Sequence, residues 1–221
     1  MNSRATAADC FDTLYRSVER YWWRQTDRYA LNADAYPYSL VTQMTMRLIG
    51  GSSSGRALDL GAGEGADSIR LALLGFTVQA VEISQVGVEK IQAFAAQAGV
   101  EVAVEHADIT EYQPDGEYDI ILCNGVLHYV ADKKSVVKRM QAATRPGGLN
   151  VISLWSTFTP VPECHNSIPV YCDDEDGIVT GLYASWPKEL LYFERGKPEV
   201  SHAGMPPHSH SHIKLIARRP R

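Results

Sequence analysis

The sequence predicts an α/β fold: a doubly wound, mostly parallel, seven-stranded sheet preceded by an N-terminal helical lid. Three observations lead there. From residue 56 onward, short apolar runs alternate with amphipathic segments of helical length, the pattern of parallel strands joined by crossover helices. The first run, 57–60, ends in glycines at 61, 63 and 65, so a strand passes through a tight turn into a helix. Beyond residue 187, the runs 190–194 and 213–217 are placed to close the sheet as an antiparallel pair.

In chain order, apolar and aromatic residues at helical spacing (Phe11, Leu14, Tyr15, Val18, Tyr21, Trp22) predict a helix over 9–31. Tyr36-Pro37-Tyr38 interrupts it, and a second helix is expected over 39–49. The GGSSSG run at 50–55 is a loop. Strands follow at 56–60, 77–82, 101–105, 118–123 and 149–154, with helices at about 65–74, 85–98 and 133–144 between them. Gly75 and Gly99 fall where helix C-caps belong, and Ser84 and Asp132 where N-caps belong. Pro146-Gly147-Gly148 is expected to turn the chain into the fifth strand. After Ser156 the chain becomes Pro-rich and aromatic, with an acidic run at 173–176 read as a solvated loop, or as a means of selecting a cationic substrate. The stretch before His208 is expected to be irregular.

Bulk composition narrows the function classes. At 221 residues the chain can bury a full core, and 45% apolar with 21% charged residues is ordinary for a globular protein. Lys plus Arg number 21 against 26 acidic residues, so no positive field favours nucleic acid, and neither a nucleic-acid nor a membrane partner is expected. The four cysteines include no CxxC pair, which suits a reducing compartment. The first residues contain no apolar signal region, and no run approaches a membrane span. The expectation is a cytoplasmic protein; its oligomeric state is not legible.

The glycine turn carries the chemistry. A dinucleotide site would use G-x-G-x-x-G to hold a pyrophosphate, but here the spacing is G-x-G-x-G, with Asp59 two residues before Gly61. A carboxylate there repels a pyrophosphate and can accept bonds from an ammonium group, which favours a ligand with an amino-acid tail. Glu82, at the tip of the second strand, can accept both ribose hydroxyls of an adenosine. Asp108 is placed to meet the adenine amine, with Ile109 against the ring. Acceptors at both ends, with no phosphate-binding cation, point to S-adenosylmethionine. Ala62, Ile83, Cys123 and Asn124 complete the expected cofactor set with Gly61, Gly63 and Gly65.

These segments resemble the class I S-adenosylmethionine-dependent methyltransferases. LDLGAGEG is similar to their first motif, AVEIS to the second, HADI to the third and YDIILCNGVLHYV to the fourth, while RPGGLNVIS is similar to the turn and strand that follow. The resemblance covers about residues 35–155. The tail, with WPKELLYFERG and PPHSHSHIKLIARRP, resembles the tellurite-resistance (TehB-like) branch, whose members often end in a His-containing loop and a final strand. The YWW segment and the acidic insertion match no pattern of that family. The resemblance implies a lid over residues 1–50 and a methyltransferase domain over 51–221. It also implies methyl transfer to a small-molecule acceptor, through sulfur, selenium or tellurium by branch and oxygen or nitrogen otherwise. A non-catalytic cofactor-binding module is the alternative, and a nicotinamide oxidoreductase is disfavoured by the glycine spacing and Asp59.

The acceptor is expected beyond the carboxyl ends of the fourth and fifth strands. His128 is the leading general-base candidate there, because imidazole titrates near neutrality; a soft nucleophile needs no base. His202 and His208 are weaker catalytic candidates. Trp22, Tyr36, Tyr129, Trp155 and Phe158 are expected to line the acceptor site, the N-terminal rings as a lid over the sulfonium, where cation–π contact contributes about 0.5–2 kcal/mol. His208, His210 and His212 share one face of a strand and can line the pocket or hold a metal. With no flanking carboxylate or thiolate at fixed geometry, no metal is expected. Cys164-His165 with Cys172 is a second possible zinc set, read as a bystander for want of a fourth ligand.

Overall fold

The computed structural model describes residues 6–21, 40–49, 54–165, 167–199 and 206–221. Seven strands form one sheet: β1 (Arg56–Leu60), β2 (Thr77–Glu82), β3 (Ala103–His106), β4 (Tyr118–Asn124), β5 (Thr144–Trp155), β6 (Lys188–Glu199) and β7 (His208–Arg218), in the order β3-β2-β1-β4-β5-β7-β6. The first five pair in parallel. β7 inserts antiparallel between β5 and β6, as the two terminal runs led us to expect. Strand order reverses between β1 and β4, and the crevice outside their carboxyl ends is where such sheets bind ligands.

Helices cover both faces. α2 (Leu40–Ile49) and α3 (Ala66–Leu73) bury Val41 and Leu71 against Ala57, Ile120, Val151 and Ile216. On the other face α5 (Lys133–Ala143) and α6 (Ile178–Leu182) pack Met140 and Val179 against Leu58, Ile121, Ile152 and Leu215. Ala57 and Leu58 therefore serve opposite cores, the period-two alternation of a strand buried on both sides. α4 (Gln85–Ala98) starts at the Ser84 cap, where Ser84 Oγ accepts the Gly87 N–H at 3.0 Å, and ends at Gly99 in the left-handed region. Asp132 caps α5 in the same way.

Several expectations need correction. α1 (Ala7–Ser17) ends at Ser17 rather than running to 31, with Val18 extended; residues 22–31 lie outside the described set. α3 does end on its expected glycine: Gly75 is left-handed (φ +91°) and donates to Ala72 O at 2.9 Å, while the Phe76 N–H donates to Leu71 O at 3.1 Å. The Pro146-Gly147-Gly148 segment is a bulge within β5, which already starts at Thr144 paired with Tyr118, and the register shifts between Tyr118 and Ile120. The bulge is stitched by buried polar groups: Asn150 Nδ2 donates to Thr144 Oγ1, and Tyr183 Oη donates to Asn150 Oδ1, each at 2.6 Å. β6 and β7 outrun the apolar runs that announced them, because long antiparallel pairing carries polar residues 194–199 and 208–212 into the ladder.

The acidic run is solvated only in part: Asp174 and Asp176 are exposed. Asp173 is buried and accepts the N–H groups of Ile178 (3.1 Å) and Val179 (2.8 Å), holding the start of α6. Glu175 forms a two-point pair with Arg195 at 2.9 and 2.6 Å. Thr157 donates to Asp174.

Candidate active site

At the end of β1 the N–H groups of Gly61 and Ala62 both donate to Val81 O, at 2.8 and 3.0 Å, so the turn is tied to β2. Gly61 has φ +71°, and a Cβ there would sit 2.5 Å from Val126. Both backbone conformation and space therefore demand glycine. Gly65, at φ +83°, starts α3 without a side-chain cap, which leaves backbone donors of the first turn facing the crevice.

Glu82 lies beneath this turn. Its Oε2 accepts the Gly63 N–H at 2.7 Å and its Oε1 the Ser84 N–H at 2.9 Å. Burial pushes the carboxyl up to about 7 against those hydrogen bonds. A carboxylate offers roughly four acceptor positions, and the backbone at Gly63, Ile83 and Ser84 does not use all of them, so Glu82 could still accept from a ribose hydroxyl. Asp59 is likewise buried, accepts Ser68 Oγ at 2.6 Å, and is raised to about 7 by burial and then by Asp67. An incoming ammonium group would relieve that unfavourable environment. Asp67 in turn accepts Arg70 Nη1 at 2.7 Å and Asn124 Nδ2 at 3.0 Å, so Asn124 fastens the tip of β4 to α3.

The remaining members of the expected cofactor set divide. Asp108 is exposed, with one oxygen accepting the Thr110 N–H at 2.8 Å, and is available to a base edge. Ile109 and Cys123 are buried in the core that Leu58 and Met140 share; burial pushes the Cys123 thiol up. Ile83 offers its carbonyl to His106 Nε2 at 2.9 Å. His106, at the tip of β3, opens the HADI segment but was not among the expected cofactor residues.

The N-terminal segment docks on this corner. Asp12 accepts Ser84 Oγ at 2.5 Å and the Val86 N–H at 3.2 Å. Lys90 Nζ donates to Tyr15 O (2.5 Å), Val18 O (2.7 Å) and Glu64 Oε1 (2.7 Å). The buried Glu64 carboxylate also accepts the Tyr21 N–H at 3.0 and 2.8 Å. Arg20 lies 3.7 Å over the Phe94 ring. Sequence reasoning missed Glu64, because it occupies a variable position of the glycine motif, and missed Lys90 and Asp12, because nothing local marks a partner more than 70 residues away.

On the acceptor side, His128 lies in a 3₁₀ turn (Leu127–Tyr129) after β4 and is buried. Burial, and then the neighbouring His212, His210, His165 and Lys133, hold its ring neutral by lowering its pKa. The Trp155 N–H approaches His128 Nδ1 at 3.4 Å. With Nδ1 accepting, a neutral ring carries its proton on Nε2, so neither nitrogen presents a ready lone pair. Trp155 is sandwiched between His128 (4.1 Å between ring centroids, 10° between planes) and His210 (3.9 Å, 15°). Tyr129 packs 4.2 Å from His128 and meets Phe11 of α1 edge-on at 5.3 Å. Phe158, by contrast, is 58% exposed with Arg195 4.7 Å over its ring. His208 lies half-buried at the start of β7, with its Nε2 3.1 Å from His165 Nε2. Trp22, Tyr36 and His202 lie outside the described residues.

Fold and site together define an α/β domain whose strand ends could hold an adenosyl amino acid. Residues 52–190 match the family described as "Methyltransferase domain", and the chain belongs to it. It is 28% identical over 169 residues to Hemagglutinin 1 of Eikenella corrodens, a match covering 75% of this chain and 55% of that one. It is 25% identical over 141 residues to a ubiquinone biosynthesis O-methyltransferase of Rickettsia felis, covering 63% and 58%. The chain thus spans little more than half the length of these relatives. Among solved structures, TehB from Haemophilus influenzae superposes with a TM-score of 0.68 at 19% identity, covering 87% of this chain and 67% of that one. A structure described as "Conversion of a Disulfide Bond into a Thioacetal Group during Echinomycin Biosynthesis" does so with 0.66 at 19%, covering 96% and 91%. Membership of that family agrees with the resemblance carried by the glycine turn and the AVEIS and HADI segments. No helix among the described residues is long and apolar enough to cross a membrane.

Proposed function

We propose that the chain methylates a soft heteroatom, sulfur before selenium or tellurium, of a small molecule bound between Tyr129, Trp155 and His128. The cofactor, when bound, supplies a methyl group on a sulfonium. The protein's own work is to hold the acceptor in line, exclude water and present an uncharged wall to the departing positive charge. The observation that carries this reading is the His128–Trp155–His210 stack: a buried aromatic surface whose leading base candidate, the neutral His128, has Nδ1 occupied and its proton on Nε2. Such a wall suits a polarisable nucleophile that carries no proton when it attacks, a thioether or a thiol that binds as thiolate after giving its proton to solvent; an alcohol or phenol acceptor would need a base.

Glu82 and Asp59 would hold the ribose and the ammonium of the cofactor, and Asp108 the adenine edge. α1 acts as a lid: Asp12, Lys90 and Glu64 fasten it over the Glu82–Ser84 corner, and Phe11 carries the closure across to Tyr129. The test is methyl transfer from radiolabelled S-adenosylmethionine to a panel of thiols, thioethers, selenols and phenols. Thiol-type acceptors are expected to lead; a clear preference for phenols would overturn the assignment. The oxygen alternative draws on the name of the Rickettsia relative alone.

A further inference from the structure

We propose that Cys164, His165 and His208 form a binding site for a divalent cation of the zinc class. The fold brings together two clusters that the sequence keeps 43 residues apart: the 3₁₀ turn Glu163–His165 and the start of β7. One donor atom each of Cys164, His165 and His208 lies within 4.8 Å of the others. His165 Nε2 stands 3.1 Å from His208 Nε2 and 3.1 Å from His210 Nε2.

A neutral imidazole nitrogen carries either one proton or one lone pair in the ring plane. His208 Nδ1 lies 2.8 Å from Pro206 O, and a carbonyl only accepts, so the His208 proton is on Nδ1 and its Nε2 lone pair faces His165. His165 Nε2 can offer its single proton to one of its two neighbours, not to both. A cation between them would take the Nε2 lone pairs of His165 and His208 together with the Cys164 thiolate. With metal–nitrogen bonds of about 2.0–2.1 Å, the edge of a tetrahedral site is about 3.3 Å, close to the spacing observed. The Nδ1–carbonyl contact of His208 is the outer-shell bond that orients a ligating imidazole. Nitrogen and sulfur donors select zinc-like ions over magnesium or calcium.

The cation would fasten the 163–165 turn to the sheet directly behind the acceptor wall. Trp155 meets His165 edge-on at 4.8 Å and stacks on His210, so its position would depend on the site. The test uses the tag-free, full-length chain, stripped with a chelator and titrated with Co²⁺. We expect stoichiometric uptake, tetrahedral visible bands, a thiolate-to-cobalt charge-transfer band and quenching of Trp155 fluorescence. Cys164→Ser should abolish the charge-transfer band, and His208→Gln should weaken Co²⁺ binding at least about tenfold. Both variants should keep S-adenosylmethionine binding and the far-ultraviolet circular dichroism of the parent. A wild-type chain that takes up neither Co²⁺ nor Zn²⁺ overturns the proposal without any variant. So does a Co²⁺ spectrum unchanged in both variants.

Discussion

Lys90→Met should release the N-terminal helix while leaving the sheet intact. Lys90 Nζ is 2.7 Å from Glu64 Oε1, and the Glu64 side chain is fully buried while that of Lys90 is 16% exposed. The same ammonium donates to the carbonyls of Tyr15 and Val18, so it ties the end of α1 to α4. Breaking a buried pair by removing one partner costs about 3–5 kcal/mol; the partial exposure of Lys90 argues for the lower end, about 2–3 kcal/mol. At 1.36 kcal/mol per tenfold, local opening of α1 becomes roughly 30–150 times more frequent. Native-state amide exchange reads this directly. Protection of Cys10–Ser17 should fall by that factor, while β1, β4 and β5, which make no contact with Lys90, keep theirs. Equal loss in α1 and in the central strands would mean that the pair supports the whole fold, and unchanged protection in α1 would mean that it fastens nothing. Either result refutes the lid assignment.

Other consequences follow from the same geometry. Asp59 and Glu82 rise from 3.8 and 4.5 to about 7 in the folded chain. The folded state therefore holds protons that the unfolded state has lost, and the stability these groups contribute is full below about pH 4 and declines as pH rises through about 7. Because an ammonium and ribose hydroxyls favour the ionised carboxylates, cofactor binding at pH 6.5 should release protons and tighten as pH rises; calorimetry in buffers of different ionisation enthalpy would show no buffer dependence if this is wrong. Gly61→Ala places a side chain at φ +71° and 2.5 Å from Val126, costing about 1–2 kcal/mol in backbone conformation alone. A lower Tm with lost cofactor affinity is expected, and wild-type affinity would count against the turn as the cofactor's seat. Asp173→Ala strips the acceptor from the start of α6, worth about 1–2 kcal/mol, or roughly 2–8 °C in Tm for a chain of this size. A Tm shift below a degree would show the cap to be idle.

What the sequence made legible was local. Strand-to-turn chemistry announced Gly61–Gly65, side-chain capping announced Ser84 and Asp132, and apolar periodicity announced the five parallel strands. Where a polar segment joins the ladder only because its partner is already there, as at 194–199 and 208–212, no local pattern exists to read. The same holds for Asp173, which looks like one acid among several until α6 starts on it. Long-range pairing hid the site's finer parts: Asp12 with Ser84, Lys90 with Glu64, and His165 with His208 and His210. His128 was conspicuous as a titratable residue near the acceptor, but its neutrality follows from burial and from the approach of the Trp155 N–H, both products of packing.

The most direct test of the neutral acceptor wall is the single-turnover methyl-transfer rate of His128→Phe with a thiol acceptor. The substitution keeps an aromatic ring against Trp155 and removes both nitrogens. A rate within about threefold of the parent is expected, since general-base catalysis normally contributes 10²–10⁴-fold. A loss of about a hundredfold or more at unchanged cofactor affinity, not restored at high pH, would make His128 a base and contradict the account.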